Sequence, residues 1–117
     1  MGKFQEKLRN VLKKYSDRVF YVLNDESITY GELLEKADNL SKYLGNDNSP
    51  VLVYGHKNID MIISFIGCVL ANRCYIPVDI FTPLDRVEKI INLSKSSLVI
   101  NNSGRRNSFS INSINNI

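Results

Sequence analysis

Between Val51 and Ile100, three short apolar runs alternate with two segments of helical periodicity, and this alternation leaves few architectures open. Val51-Leu52-Val53-Tyr54 is continuous and partly β-branched, the pattern of a strand covered on both faces. Cys74-Tyr75-Ile76-Pro77-Val78 reads as the next strand, in which Pro77, having no amide hydrogen to donate, marks the end or an irregular edge. Ser97-Leu98-Val99-Ile100 reads as the closing strand. Asn58 can cap a helix running to Asn72 that is apolar around most of its circumference and must be nearly enclosed. Thr82 as N-cap, Pro83 at the first helical position and Asp85 in the first turn predict a second helix, continued by Val87, Ile90, Ile91 and Leu93. Strand, helix, strand, helix, strand implies right-handed crossovers, so the expectation is a three-layer α/β fold with a mainly parallel sheet.

The first half of the chain is patterned differently. Phe4, Leu8, Val11, Leu12 and Tyr15 recur at helical spacing, with Lys3, Lys7, Arg9, Lys13 and Lys14 largely around the other face. This predicts a basic amphipathic helix whose cations form a solvated face at the domain edge, with an anionic membrane surface as the rival use. Val19 to Leu23 is β-prone, Asn24-Asp25-Glu26-Ser27 offers turn chemistry, and Ile28 resumes the apolar pattern, so a hairpin is expected. Thr29 and Glu32 form a capping box that starts a helix at Tyr30. Its apolar stripe is Tyr30, Leu33, Leu34, Ala37, Leu40 and Leu44, and Gly45 closes it. Residues 101–117 hold six Asn and four Ser with few large apolar side chains, the composition of a frayed tail, and are left unassigned.

Composition excludes more than it selects. A chain of 117 residues permits one small domain, and its 15 basic against 12 acidic side chains leave an excess too slight to imply nucleic acid as a partner. No apolar run approaches the roughly 18 residues of a spanning helix. Glu6 stands where N-myristoylation after Met1-Gly2 needs Ser or Thr, so neither a lipid anchor nor a membrane partner is expected. Without a secretory leader, Cys68 and Cys74 read as reduced, buried filler thiols of a cytoplasmic protein. The six glycines are too dispersed for a dinucleotide or phosphate-loop fingerprint. One histidine and the Cys68 to Cys74 spacing fit no common metal motif, and no Gly-x-Ser-x-Gly elbow occurs. No residue is therefore assigned a catalytic, cofactor-binding or metal-binding role. Three positions still lie where open α/β sheets place ligands, at the carboxyl ends of strands. His56 is either polar site furniture or a loop histidine bonded to backbone; Asp79 is either a site carboxylate or a turn residue; Gly55 serves either close approach of a ligand or a turn.

The stretches ITYGELLEKADNLSKYL, VLVYGH and MIISFIGCVLANRCYIPVDIFTPLDRVEKIINLSKSSLVI stand in the order of a T-Y-x-E-L helix, a strand, an apolar helix, a Y-[IV]-P-[LIV]-D strand and a P-x-x-R helix. In that order they resemble the amino-terminal region of the adenylate-forming (AMP-dependent synthetase/ligase) enzymes, over about Phe4 to Ile100. VYGH and YIPVDIFTPLDRV look most like the D-alanine:D-alanyl carrier protein ligases, although Arg73-Cys74 stands where the pattern has Gly-Ala. The resemblance implies that residues 4–100 are a partial N-terminal subdomain of the adenylate-forming fold. It also implies a parent reaction in which ATP and Mg2+ activate D-alanine, which passes to the phosphopantetheine thiol of a carrier protein for teichoic acid D-alanylation. The family's phosphate loop, adenine and ribose contacts and C-terminal lysine have no counterpart here, so the chain alone is expected to be inactive and to hold no cofactor. Its expected partners are the remainder of an adenylation domain or a second copy. The alternative is a self-sufficient, noncatalytic α/β module that binds protein through an exposed edge.

Overall fold

The computed structural model of the protein describes residues 3–23, 26–45, 47–56, 58–105 and 108–115. Helix α1 (Lys3–Lys14) leads into an antiparallel hairpin, β1 (Val19–Leu23) and β2 (Glu26–Thr29), and then into α2 (Tyr30–Leu44). The expected hairpin forms, while Asn24 and Asp25 of its turn lie outside the described residues. Then follow β3 (Val51–Gly55), α3 (Ile59–Leu70), β4 (Tyr75–Asp79), α4 (Leu84–Ser94), β5 (Leu98–Asn101) and β6 (Ser113–Asn115). The four later strands form one parallel sheet in the order β4-β3-β5-β6.

Alternation along β3 explains the layers. Val51 and Val53 point to one face, where Leu40 and Leu44 of α2 and Met61 and Cys68 of α3 cover them. Leu52 and Tyr54 point to the other, where Val87 and Ile91 of α4 complete a second core. With helices on both faces, the α/β three-layer expectation holds. Pro77 sits within β4, opposite Val53, and is tolerated there because β4 is the edge strand. A third cluster, Leu12, Ile28, Leu33, Ile59 and Ile63, seats α1 and the hairpin on the outer side of α2 and α3.

Local signals set most helix ends. Thr29 Oγ1 accepts the Glu32 amide at 3.1 Å and Glu32 Oε1 accepts the Thr29 amide at 3.0 Å, the full capping box. Gly45 closes α2 with φ 65° and ψ −154°, a conformation open to glycine and little else. Asn58 Oδ1 accepts the Met61 amide at 2.9 Å and starts α3, which ends at Leu70 instead of Asn72. At α4 the expectation fails by one residue: Pro83 is the N-cap, and no side chain caps the helix. The Thr82 amide is drawn to the Asp79 carbonyl, and the Pro83 carbonyl takes the first amides of the helix.

Other departures have tertiary causes. Phe4 and Val11 are 64% and 47% exposed, while Gln5 and Leu12 are buried, so α1 is rotated from its apolar stripe. Gln5 Nε2 donates to the Val69 carbonyl and to Asn72 Oδ1, each at 3.3 Å, and Arg9 pairs with Asp38, which turns the Gln5-Arg9-Leu12 face inward. Partial burial pushes the Asp38 carboxyl up, but Arg9 and Lys42 outweigh it and hold the group below the usual range. Cys68 is buried and its thiol is pushed up to about 12 by desolvation; Cys74 is exposed, contrary to its reading as a filler.

The segment expected to fray instead returns to the sheet. Phe109 packs edge-on against Tyr54 with centroids 5.2 Å apart, Ser110 bonds Glu88 through amide and hydroxyl, Ile111 joins the α4 core, and Ile114 on β6 joins the α2–α3 core. Three apolar side chains too sparse for a local pattern suffice because each meets a preformed surface. At the amino end of the sheet, Asn72 takes φ 57° and Arg73 is buried, its guanidinium donating to the Leu44 carbonyl (3.0 Å), the Ser49 carbonyl (2.7 Å) and Ser97 Oγ (3.1 Å).

Two substitutions measure these contacts. A Cβ at Gly67 would lie 2.7 Å from Leu40 Cδ2 and 3.1 Å from Leu40 Cβ, and the latter cannot swing away by changing rotamer. Overpacking costs about 1–3 kcal/mol against a helix-propensity gain of about 1 kcal/mol, so Gly67→Ala should lower unfolding free energy by roughly 1 kcal/mol in urea titration. Arg73→Met should cost about 3 kcal/mol by the same measurement, since it leaves the Leu44 and Ser49 carbonyls without their donor.

Candidate functional site

Because the sheet is parallel, β3 and β4 end side by side, and Gly55 pairs with Asp79. His56, the residue after β3, places Nδ1 3.2 Å from Asp79 Oδ2. The Asp79 carboxyl is held below its usual range, first by the Phe81 amide donating to Oδ1 at 2.9 Å and then by His56. A carboxylate only accepts, so Nδ1 of His56 carries the hydrogen of this bond. The Phe81 ring, 75% exposed, meets the imidazole edge-on at 5.5 Å between centroids. Asp79 thus has the place of the turn residue, one carboxylate oxygen taking the Phe81 amide and the other meeting His56, and His56 is bonded to a side chain and not to backbone.

Beneath this pair lies an open cleft of about 280 Å3 whose floor is Met61, Phe65, Pro77 and Val78. Beyond β5 a more polar cavity of about 460 Å3 is lined by Asp60, Asn102, Ser103 and Arg105, among others. Asn102 separates the two. It is buried, donates through Nδ2 to Ser64 Oγ at 2.9 Å, and its amide reaches the Tyr54 carbonyl at 2.8 Å.

Gly55 is not a turn residue. It is the last residue of β3, and a Cβ there would lie 2.8 Å from Met61 Sδ and 3.0 Å from Asn102 Cβ. The close approach is to the protein itself, and no local pattern could have announced it because Asn102 follows the neighbouring strand β5, far along the chain from Gly55. Arg105 was likewise out of reach: its Nη1 donates to the Ile80 carbonyl at 3.1 Å, strapping the loop after β5 to the turn after β4.

Chemically, this edge offers hydrogen bonds, an imidazole and an apolar floor. Among the described residues no three His, Cys, Asp or Glu side chains converge to hold a metal ion, and no helix is long and apolar enough to cross a membrane. The Asp79 carboxylate is already engaged by the Phe81 amide and His56. At this edge, among the described residues, no set of carboxylates fits a Mg2+ ion.

Residues 8–115 match the AMP-binding enzyme family. The chain is 43% identical over 106 residues to a D-alanine--D-alanyl carrier protein ligase of Bacillus licheniformis, covering 84% of this chain and 21% of the relative. The protein of the same name from Bacillus anthracis is 42% identical over 88 residues, 72% of this chain and 18% of the relative. The chain thus spans about a fifth of the length of these curated relatives. Among solved structures, the nonribosomal peptide synthetase FmoA3 with α-methyl-L-serine-AMP bound superposes with a TM-score of 0.82 at 20% identity, over 96% of this chain and 13% of that one. The N-terminal subdomain of Klebsiella oxytoca NpsA gives 0.79 at 15% identity, over 94% of this chain and 30% of that one. At those identities the likeness concerns the fold.

The Asp79 geometry makes a titration prediction. Carboxyl NMR should place the Asp79 midpoint below that of an ordinary aspartate, so any stability it adds is present above the ordinary value and lost as pH falls through the lowered one. In His56→Ala the midpoint should rise only part of the way, because the larger contribution, from the Phe81 amide, remains.

Proposed function

This chain belongs to the AMP-binding enzyme family, and from that premise we propose that it is the amino-terminal part of a ligase that activates D-alanine with ATP and passes it to a carrier protein. The observation that carries the reading is the 43% identity to the Bacillus licheniformis ligase over most of this chain. Teichoic acid is the proposed destination of the D-alanine, and the cytoplasm the proposed compartment.

The role of these residues in that reaction is structural. Residues 4–100 together with the returning strand β6 form a sheet whose carboxyl edge faces outward with His56, Asp79 and Phe81 exposed. That edge supplies a polar, partly aromatic wall, and it supplies no phosphate cradle: the glycines stand at positions 2, 31, 45, 55, 67 and 104, never clustered. When bound to the whole enzyme, ATP with its Mg2+ supplies the adenylate leaving group. What this chain contributes is the packed support behind the reacting centre, held by the Tyr54–Ile80–Arg105 bonds that fix the loops at the sheet's edge. The rival expectation of a self-sufficient binding module is not favoured by the Bacillus licheniformis and Bacillus anthracis relatives, which are ligases by name.

Pyrophosphate exchange tests the reading. The 117-residue chain with ATP, Mg2+ and D-alanine should show no exchange above the protein-free level. D-alanine-dependent exchange by this chain alone would overturn the claim that its part in the reaction is structural.

A further inference from the structure

More than the whole net charge of the chain is carried by its first helix and the turn after it. Lys3, Lys7, Arg9, Lys13, Lys14 and Arg18 against Glu6 and Asp17 leave four positive charges, in a chain whose total excess is three. Arg9 is turned inward to Asp38. The others stand outside, and the rotation of α1 determines what stands with them.

With Gln5, Arg9 and Leu12 facing α2 and α3, the opposite face presents Phe4, Lys7, Val11 and Lys14, spaced by three and four residues and all exposed, and Arg18 stands exposed in the turn that follows the helix. Apolar tips therefore alternate with long cationic side chains along one ridge. The ridge continues through Tyr15, whose ring carries Lys14 Nζ at 5.4 Å and the Arg18 guanidinium at 4.9 Å from its centroid. Tyr15 lies 6.4 Å from Tyr30, Tyr30 lies 5.1 Å from Phe20, and Phe20 and Val19 are again exposed.

We propose that this ridge, from Phe4 through Arg18, is a docking surface for an anionic lipid bilayer. Phe4 and Val11 enter the boundary between headgroups and acyl chains, while Lys7, Lys14 and Arg18 meet lipid phosphates and Tyr15 sits at headgroup level. An acidic protein is the weaker fit. A stable protein interface buries roughly 800 Å2 on each side with matched shape, whereas this face is a convex helix with two apolar side chains of its own. A fluid bilayer demands no shape match and adds many weak phosphate contacts. The inference is independent of the ligase reading, since vesicle binding needs neither nucleotide nor D-alanine.

The chain has no tryptophan, so Phe4→Trp installs a single reporter at the ridge. Vesicles of equal parts phosphatidylcholine and phosphatidylglycerol should co-sediment the full chain at low salt, shift that fluorescence to the blue, and release the protein at high salt. Vesicles of phosphatidylcholine alone should do neither. The double variant Lys7→Glu/Lys14→Glu changes exposed side chains only, and with retained far-UV circular dichroism it should bind at least about thirtyfold more weakly. Absence of binding to the anionic vesicles, or unchanged binding of the double variant, overturns the proposal. So does an equal blue shift with soluble poly-L-glutamate in place of vesicles, which would assign the ridge to an acidic polypeptide.

Discussion

Two-sided burial of β3 is the constraint on which the rest of the structure depends. All five residues from Val51 to Gly55 are buried, and the strand is hydrogen-bonded along both edges, to β4 and to β5. A strand so placed has no polar face to spare, so each of its side chains must be matched by a covering helix. Full burial of an apolar side chain contributes about 1.5–3 kcal/mol, and the four of β3 draw α2 and α3 to one face and α4 to the other. Where α2 packs on α3, Gly67 leaves room for the Leu40 side chain that a Cβ would meet.

The same arrangement defines what the chain can contribute to chemistry. Parallel strands end together, so His56 and Asp79, 23 residues apart in sequence, meet at 3.2 Å. The far loops are tied over that edge by Arg105, and behind it Asn102 fits because position 55 has no Cβ. At the opposite end Arg73 performs the complementary task, bonding the end of α2, the loop before β3 and the approach to β5. Buried guanidinium is costly unless its hydrogens are placed, and here most of them are. In this chain a polar clamp thus closes the amino end of the sheet.

Particular residues show how far the sequence reaches. Thr29 with Glu32 and Asn58 before Ile59 are complete local devices, whose donors and acceptors lie within one helical turn, and both helices begin where they predict. Thr82 has the same chemistry but stands one residue ahead of the cap: Pro83 is the N-cap of α4, its carbonyl takes the first amides, and no side chain caps the helix. Phe4 and Val11 have the right spacing for a buried stripe, yet Gln5 and Arg9 find partners on α3 and α2 and turn the helix. Their exposure makes the outer face of α1 what it is.

The sequence by itself determined the alternation of strand and helix, the starts of α2 and α3, the parallel sheet that such an order requires, and the family resemblance. Those follow from periodicity and from hydrogen bonds closed within a few residues, which a linear reading contains in full. Only the tertiary structure decided the rotation of α1, the return of residues 109–115 to the sheet, the meeting of His56 with Asp79 and the need for glycine at position 55. Each is a contact between segments far apart in the chain, fixed by surfaces that exist only once the core has formed.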